Sequence, residues 1–63
     1  MKINGKKMQI SMARKCFDSP KLSEISGISE TTIKNAIKGN EVLLSTIGKI
    51  AKALDVDVSE IIE

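Results

Sequence analysis

Ser19-Pro20-Lys21-Leu22-Ser23-Glu24-Ile25-Ser26-Gly27-Ile28-Ser29-Glu30-Thr31-Thr32-Ile33-Lys34-Asn35-Ala36-Ile37-Lys38 reads as helix, tight turn, helix. Ser19 suits an N-cap and Pro20 the first turn of a helix ending at Ser26, with Leu22 and Ile25 as its apolar residues. Gly27 ends it, because glycine takes the left-handed conformation that a sharp helix stop requires. Only Ile28 separates Gly27 from the next cap, Ser29, and a second helix then runs to Lys38, where Gly39 stops it. Leu22, Ile28 and Ile33 are the inward apolar positions, and Ser23 is small enough for two helices to cross over it. Two helices so closely joined are the arrangement of a DNA-binding helix-turn-helix, here spanning about residues 19–38.

The exposed side of the second helix carries the chemistry. At roughly 100° per residue, Glu30, Lys34, Lys38, Thr31 and Asn35 fall within about 140° of arc, while Ile33 and Ala36 face the other way. A helix of this diameter fits the major groove of a DNA duplex. Asn35 can donate to and accept from an adenine edge, and Lys34 can donate to the two acceptors of guanine. Thr31 can bond a base or touch a thymine methyl, and Glu30 can accept from the cytosine amino group.

Helical periodicity continues on both sides of this segment, and no strand pattern competes with it. Met8, Met12, Ala13 and Cys16 form one apolar stripe on a helix from about Lys6 to Cys16, with Cys16 read as a small core residue and Phe17, the only aromatic, as buried. Leu44, Ile47, Ile50, Ala51 and Leu54 predict a helix from Leu44 to Leu54, the clearest amphipathic stripe in the chain. Gly48 sits inside it, and a close helix contact there would account for its presence. A short fifth helix is predicted at about Val58 to Ile62, opened by a capping box between Asp57 and Glu60. The expected fold is all-α, one compact five-helix domain over residues 1–63.

Composition narrows the possible functions. Sixty-three residues allow one small domain, which buries only roughly 60% of the surface its unfolded chain exposes. With no His, no Trp, no Tyr and one Cys, a Cys/His metal site is excluded by count and a disulfide framework by arithmetic. The four glycines sit singly, so no phosphate-cradling loop is present. These absences argue against an enzyme, and no cofactor, metal or small-molecule ligand is expected. Nothing suggests a membrane span, a signal peptide or an oxidising compartment, so the expected location is the cytoplasm. Charge is uneven along the chain. Residues 1–40 carry Lys2, Lys6, Lys7, Arg14, Lys15, Lys21, Lys34 and Lys38 against Asp18, Glu24 and Glu30, a net +5; residues 41–63 carry Lys49 and Lys52 against Glu41, Asp55, Asp57, Glu60 and Glu63, a net −3. A polyanion is therefore expected to meet the first two thirds of the chain.

Leu-Ser-Glu-Ile-Ser-Gly-Ile-Ser at 22–29, Thr-Ile-Lys-Asn-Ala-Ile-Lys-Gly at 32–39 and Lys-Ile-Ala-Lys-Ala-Leu-Asp-Val-Asp at 49–57 together resemble the Xre-type helix-turn-helix family, the Cro- and lambda-repressor-like DNA-binding domains. The resemblance runs from about Lys6 to Ile62. It implies a five-helix bundle whose third helix reads double-stranded DNA, and a small bacterial or phage-type transcriptional regulator, of repressor type, as the function. Glu30, Thr31, Lys34 and Asn35 match the family's base-contacting positions. Ser19, Lys38 and Asn40 match positions that hold backbone phosphates, Thr46 is a weaker match of the same sort, and Lys21 adds electrostatic attraction. Where many relatives pair an arginine in helix one with a glutamate in helix three, the matching residues are Met12 and Ile37, so an apolar contact is expected instead. The loop Glu41 to Leu43 is acidic and apolar where some relatives place cations. A homodimer is expected through the 41–44 loop and the C-terminal segment, where Val42, Leu43, Val58 and Ile62 offer apolar surface. The alternative reading is a protein-interaction module, antitoxin-like or adaptor, with DNA binding secondary or lost.

Overall fold

The computed structural model describes all of residues 1–63. Helices α1 (Gly5–Arg14), α2 (Ser19–Ser26), α3 (Glu30–Ile37) and α4 (Leu44–Leu54) follow in order, and a three-residue 3-10 turn, Val58–Glu60, comes last. α2 lies at the centre of the packing, against α3 on one side and α4 on the other, while α1 rests on α3. The core joins Met8 and Met12 of α1, Leu22 of α2, Ile33 and Ala36 of α3, and Ile47, Ile50, Ala51 and Leu54 of α4.

The count of five helices is corrected to four and a turn. The capping box forms as expected: Asp57 accepts from the Ser59 N–H at 2.9 Å and Glu60 accepts from the Asp57 N–H at 3.2 Å. The helix does not propagate, because Ile61 is drawn fully into the core and Ile62 pairs with the backbone of Ile3. Burial of Ile61 and of Ile3, which the pairing holds in place, outweighs the gain from one further helical turn.

That pairing belongs to a feature with no helical signal. Residues 1–4 form an extended strap between two distant parts of the chain. Lys2 bridges to Glu41 and Ile3 to Ile62, and the Asn4 N–H donates to the Ile61 carbonyl at 2.7 Å. Ile3 is fully buried, and Asn4 then caps α1 by accepting from the Lys7 N–H at 3.1 Å. The strap thus seals the core and starts the first helix in four residues.

α1 is shorter than its apolar spacing predicts. It ends at Arg14, and Cys16 adopts a left-handed φ of 59°, which turns its side chain out to solvent. Cys16 is therefore not a core residue; Ala13 is exposed and Phe17 is only half-buried against the core. The apolar stripe of α4 begins one turn late, since Leu44 is 69% exposed.

Two glycines correct the reading of close contacts. Around Gly48 a Cβ would meet nothing within 4 Å, so no helix approaches it inside the chain, although glycine there weakens α4 by about 1 kcal/mol relative to alanine. The close approach is at Gly5, where a Cβ would overlap the carbonyl oxygen of Ile37. α1 and α3 consequently meet nearly backbone to backbone. Met12 and Ile37 border one depression beside this contact, where an apolar pair is expected to stand for the ion pair of relatives.

Candidate nucleic-acid interface

α3 begins because Ser29 ties its first turn. The Ser29 hydroxyl oxygen accepts from the Thr32 N–H at 3.3 Å and its O–H donates to the Thr32 hydroxyl oxygen at 2.9 Å. Glu30 in the first turn and Lys34 in the last both complement the helix dipole. The turn before it is held by Gly27 at φ 75°, whose N–H donates to Ser23, and by Ser26, which donates to the Leu22 carbonyl at 2.7 Å and accepts from the Ile28 N–H at 3.2 Å. Ser26 is thus a polar residue satisfied in place.

With Ile33 and Ala36 turned into the core, the opposite flank of α3 is left uncovered. Glu30, Thr31, Lys34 and Lys38 are exposed and Asn35 is half-buried. None of the four charged or amide side chains makes an ion pair or hydrogen bond within the chain, apart from backbone bonds, so their donors and acceptors remain available. Asn35 borders an open depression of about 430 Å³ with Thr32, Glu41, Val42, Leu43 and Thr46. The Asn40 N–H donates to the Asn35 carbonyl at 3.1 Å, which fixes exposed Asn40 just beyond the end of the helix. Lys38 and Asn40 therefore follow directly on the flank that carries Lys34 and Asn35. Thr46, 9% exposed, stands at the edge of the same depression.

The start of α2 differs by one residue from the sequence reading, and the shift matters chemically. Asp18, not Ser19, is the N-cap, accepting from the Lys21 N–H at 2.9 Å. Ser19 is the first helical residue. Pro20 has no N–H, so Ser19 supplies the only hydroxyl and the first free N–H at this helix end. The Asp18 carboxylate beside it opposes an approaching phosphate, and Lys21 is partly engaged by Glu24 at 4.0 Å.

Glu41 brings an acidic group to the edge of the depression, but its charge is answered within the chain. The Met1 ammonium donates to its carboxylate at 2.6 Å. That hydrogen bond first, then the ammonium's charge, with Lys2 adding to it, holds the Glu41 carboxyl below its usual value. Sequence reasoning did not find this pair, since 40 positions separate its members and no local pattern links them. The Asp18 cap did carry a signal: Asp18 and Ser19 are both good cap residues, and only the structure decides between neighbours.

The fold is shared with known proteins. The restriction-modification controller protein C.AhdI from Aeromonas hydrophila superposes with a TM-score of 0.82 at 26% identity, over 89% of this chain and 86% of that one. Streptomyces albus HEPD, solved with 2-hydroxyethylphosphonate and Fe(II), superposes with a TM-score of 0.79 at 21% identity, over 89% of this chain but 13% of its own, a likeness of fold alone. No curated protein sequence matches the chain. No helix is long and apolar enough to cross a membrane. The description of the Cro/C1-type HTH DNA-binding domain matches residues 7–63, which takes in all four helices but for the first two residues of α1, and the chain belongs to that family.

Proposed function

We propose that the protein is a sequence-specific double-stranded DNA-binding regulator that acts by occupying an operator, with no chemistry of its own. The observation that carries this reading is the uncovered polar flank of α3, backed by a buried apolar side and fixed at its start by Ser29. In the bound state α3 enters the major groove, where Glu30, Thr31, Lys34 and Asn35 read base edges. Lys38 and Asn40 at its far end, with Ser19 and Lys21 of α2, hold phosphates and set the register; Thr46 takes a secondary part. Similarity to a restriction-modification controller supports a regulatory role. The protein acts as a homodimer that pairs two half-sites, with Leu43 (73% exposed) and Leu44 at the centre of the contact. Val58 and half-buried Ile62 contribute less, because Ile62 is already paired with Ile3.

Selection from a random duplex pool tests this reading. A recovered consensus, bound with an affinity that falls steeply with added salt, is the expected result. Failure to retain any duplex at low salt overturns it. A monomer in sedimentation at high concentration, with and without the selected duplex, removes the dimer from the scheme.

A further inference from the structure

The outer face of α4 lies apart from the proposed reading surface. Lys49 and Lys52 stand there around an open depression of about 470 Å³, together with Ala53 and, across from them on α2, Ile25 and Ser26. Ile25 is 46% exposed, although it lies on the most deeply packed pair of helices. Neither lysine makes an ion pair, and α4 contains no acidic residue. The face is therefore an exposed aliphatic side chain flanked by two uncompensated cations, in the part of the chain that is otherwise acidic. Gly48 lies on the same outer side of α4, with open space around its Cα, and nothing inside the molecule requires glycine there.

We propose that this α2–α4 face docks an acidic amphipathic helix of a partner protein. The partner sets an aliphatic residue against Ile25 and carboxylates against Lys49 and Lys52, and its backbone lies close over Gly48. Charge selects this occupant. A two-fold contact between copies would lay this cationic face on its own copy, where α4 offers no acidic residue to meet the lysines. The chain's own acidic stretch, Asp57 to Glu60, is a 3-10 turn and offers no helix to lay in the depression. DNA is disfavoured by Ile25 at the centre. The face shares no residue with the α3 depression, so its occupancy leaves the reading flank free.

The test uses the full chain and two labelled probes, a short alanine-based helical peptide with one leucine flanked by glutamates, and the same peptide with lysines for the glutamates. Fluorescence anisotropy should show the acidic peptide bound roughly tenfold or more tightly than the basic one, with the difference shrinking as salt rises. The double variant Lys49→Glu with Lys52→Glu should reverse the preference. Gly48→Ala should melt at a higher temperature yet bind the acidic peptide more weakly, a combination that a folding defect does not produce. Equal binding of both peptides, or an unchanged preference in the charge-reversed variant, overturns the proposal. So does competition by a duplex lacking the selected consensus, or association of copies that Lys49→Glu abolishes. Selection of a duplex by the wild-type chain is a separate readout, so this proposal and the DNA reading fail independently.

Discussion

α3 and α4 are consecutive helices held by opposite means. α4 spans 11 residues and buries five side chains, yet its N-cap is Leu43, which offers no side-chain acceptor. α3 spans eight residues and buries only Ile33 and Ala36, but Ser29 caps it and Glu30 and Lys34 favour its two ends. α4 owes its existence to tertiary burial. α3 adds hydrogen bonding at its start to a smaller burial, which leaves one flank free. A recognition helix needs that division, since every side chain used to anchor it is one fewer to present.

The sharpest way to break the comparison is to remove burial from α4. Ile50→Ala should cost about 2–5 kcal/mol, read from urea unfolding. A domain this small holds on the order of 3–9 kcal/mol in all, so loss of the folded state at moderate temperature is expected. On α3 the largest effect should be on binding, not stability. Asn35→Ala should lose about 1–3 kcal/mol at a single base position, with binding measured on duplexes varied one position at a time. Lys38→Ala should instead weaken binding to all sequences similarly and lower the salt slope by about one. A common pattern for both variants would erase the distinction between reading and holding. Caps give smaller, opposed effects. Ser29→Ala should destabilise by about 1 kcal/mol, whereas Leu43→Ser should supply the missing acceptor and stabilise by a similar amount. The same Leu43→Ser change should weaken self-association, which separates stability from dimerisation in one variant.

The smallest expected effect is a pH dependence at the 3-10 turn. Hydrogen bonds from Ser59, its backbone N–H first, hold the Asp57 carboxyl below its ordinary value of 3.8. The folded state therefore binds this proton less readily than the unfolded one. Its contribution is present above pH 3.8 and is lost as pH falls through the lower folded value. Asp57→Asn should flatten the acid limb of the stability profile slightly.

Much of the architecture was legible because its causes are local. Gly27 needs its left-handed turn whatever surrounds it, Asp57 and Glu60 need only a spacing of three, and α4 declares itself by spacing. The polar flank of α3 followed from helix geometry alone. What escaped was decided at long range. Ile3 is buried by residues near position 61, so no window of sequence contains the reason. Cys16 keeps perfect spacing from Met12, but α1 stops before reaching it. Gly48 and Gly5 look alike in sequence, and only the packing of α1 on α3 shows which one is needed. At the interface, residue types were readable and their availability was not: the Met1–Glu41 pair spans 40 positions, and the Asp18 cap, though local, competes with an equally good cap at Ser19.

The strap also makes the seal of the core a matter of chain topology. Ile3 and Asn4 meet Ile61 and Ile62 across almost the whole length of the chain, so this closure carries the largest loop entropy of any in the fold. Helices α1 to α4 can gather first, while the core keeps an open seam until the two segments find each other. A variant lacking residues 61–63 should accordingly stay protease-sensitive around Ile3, and adding those residues back should restore resistance.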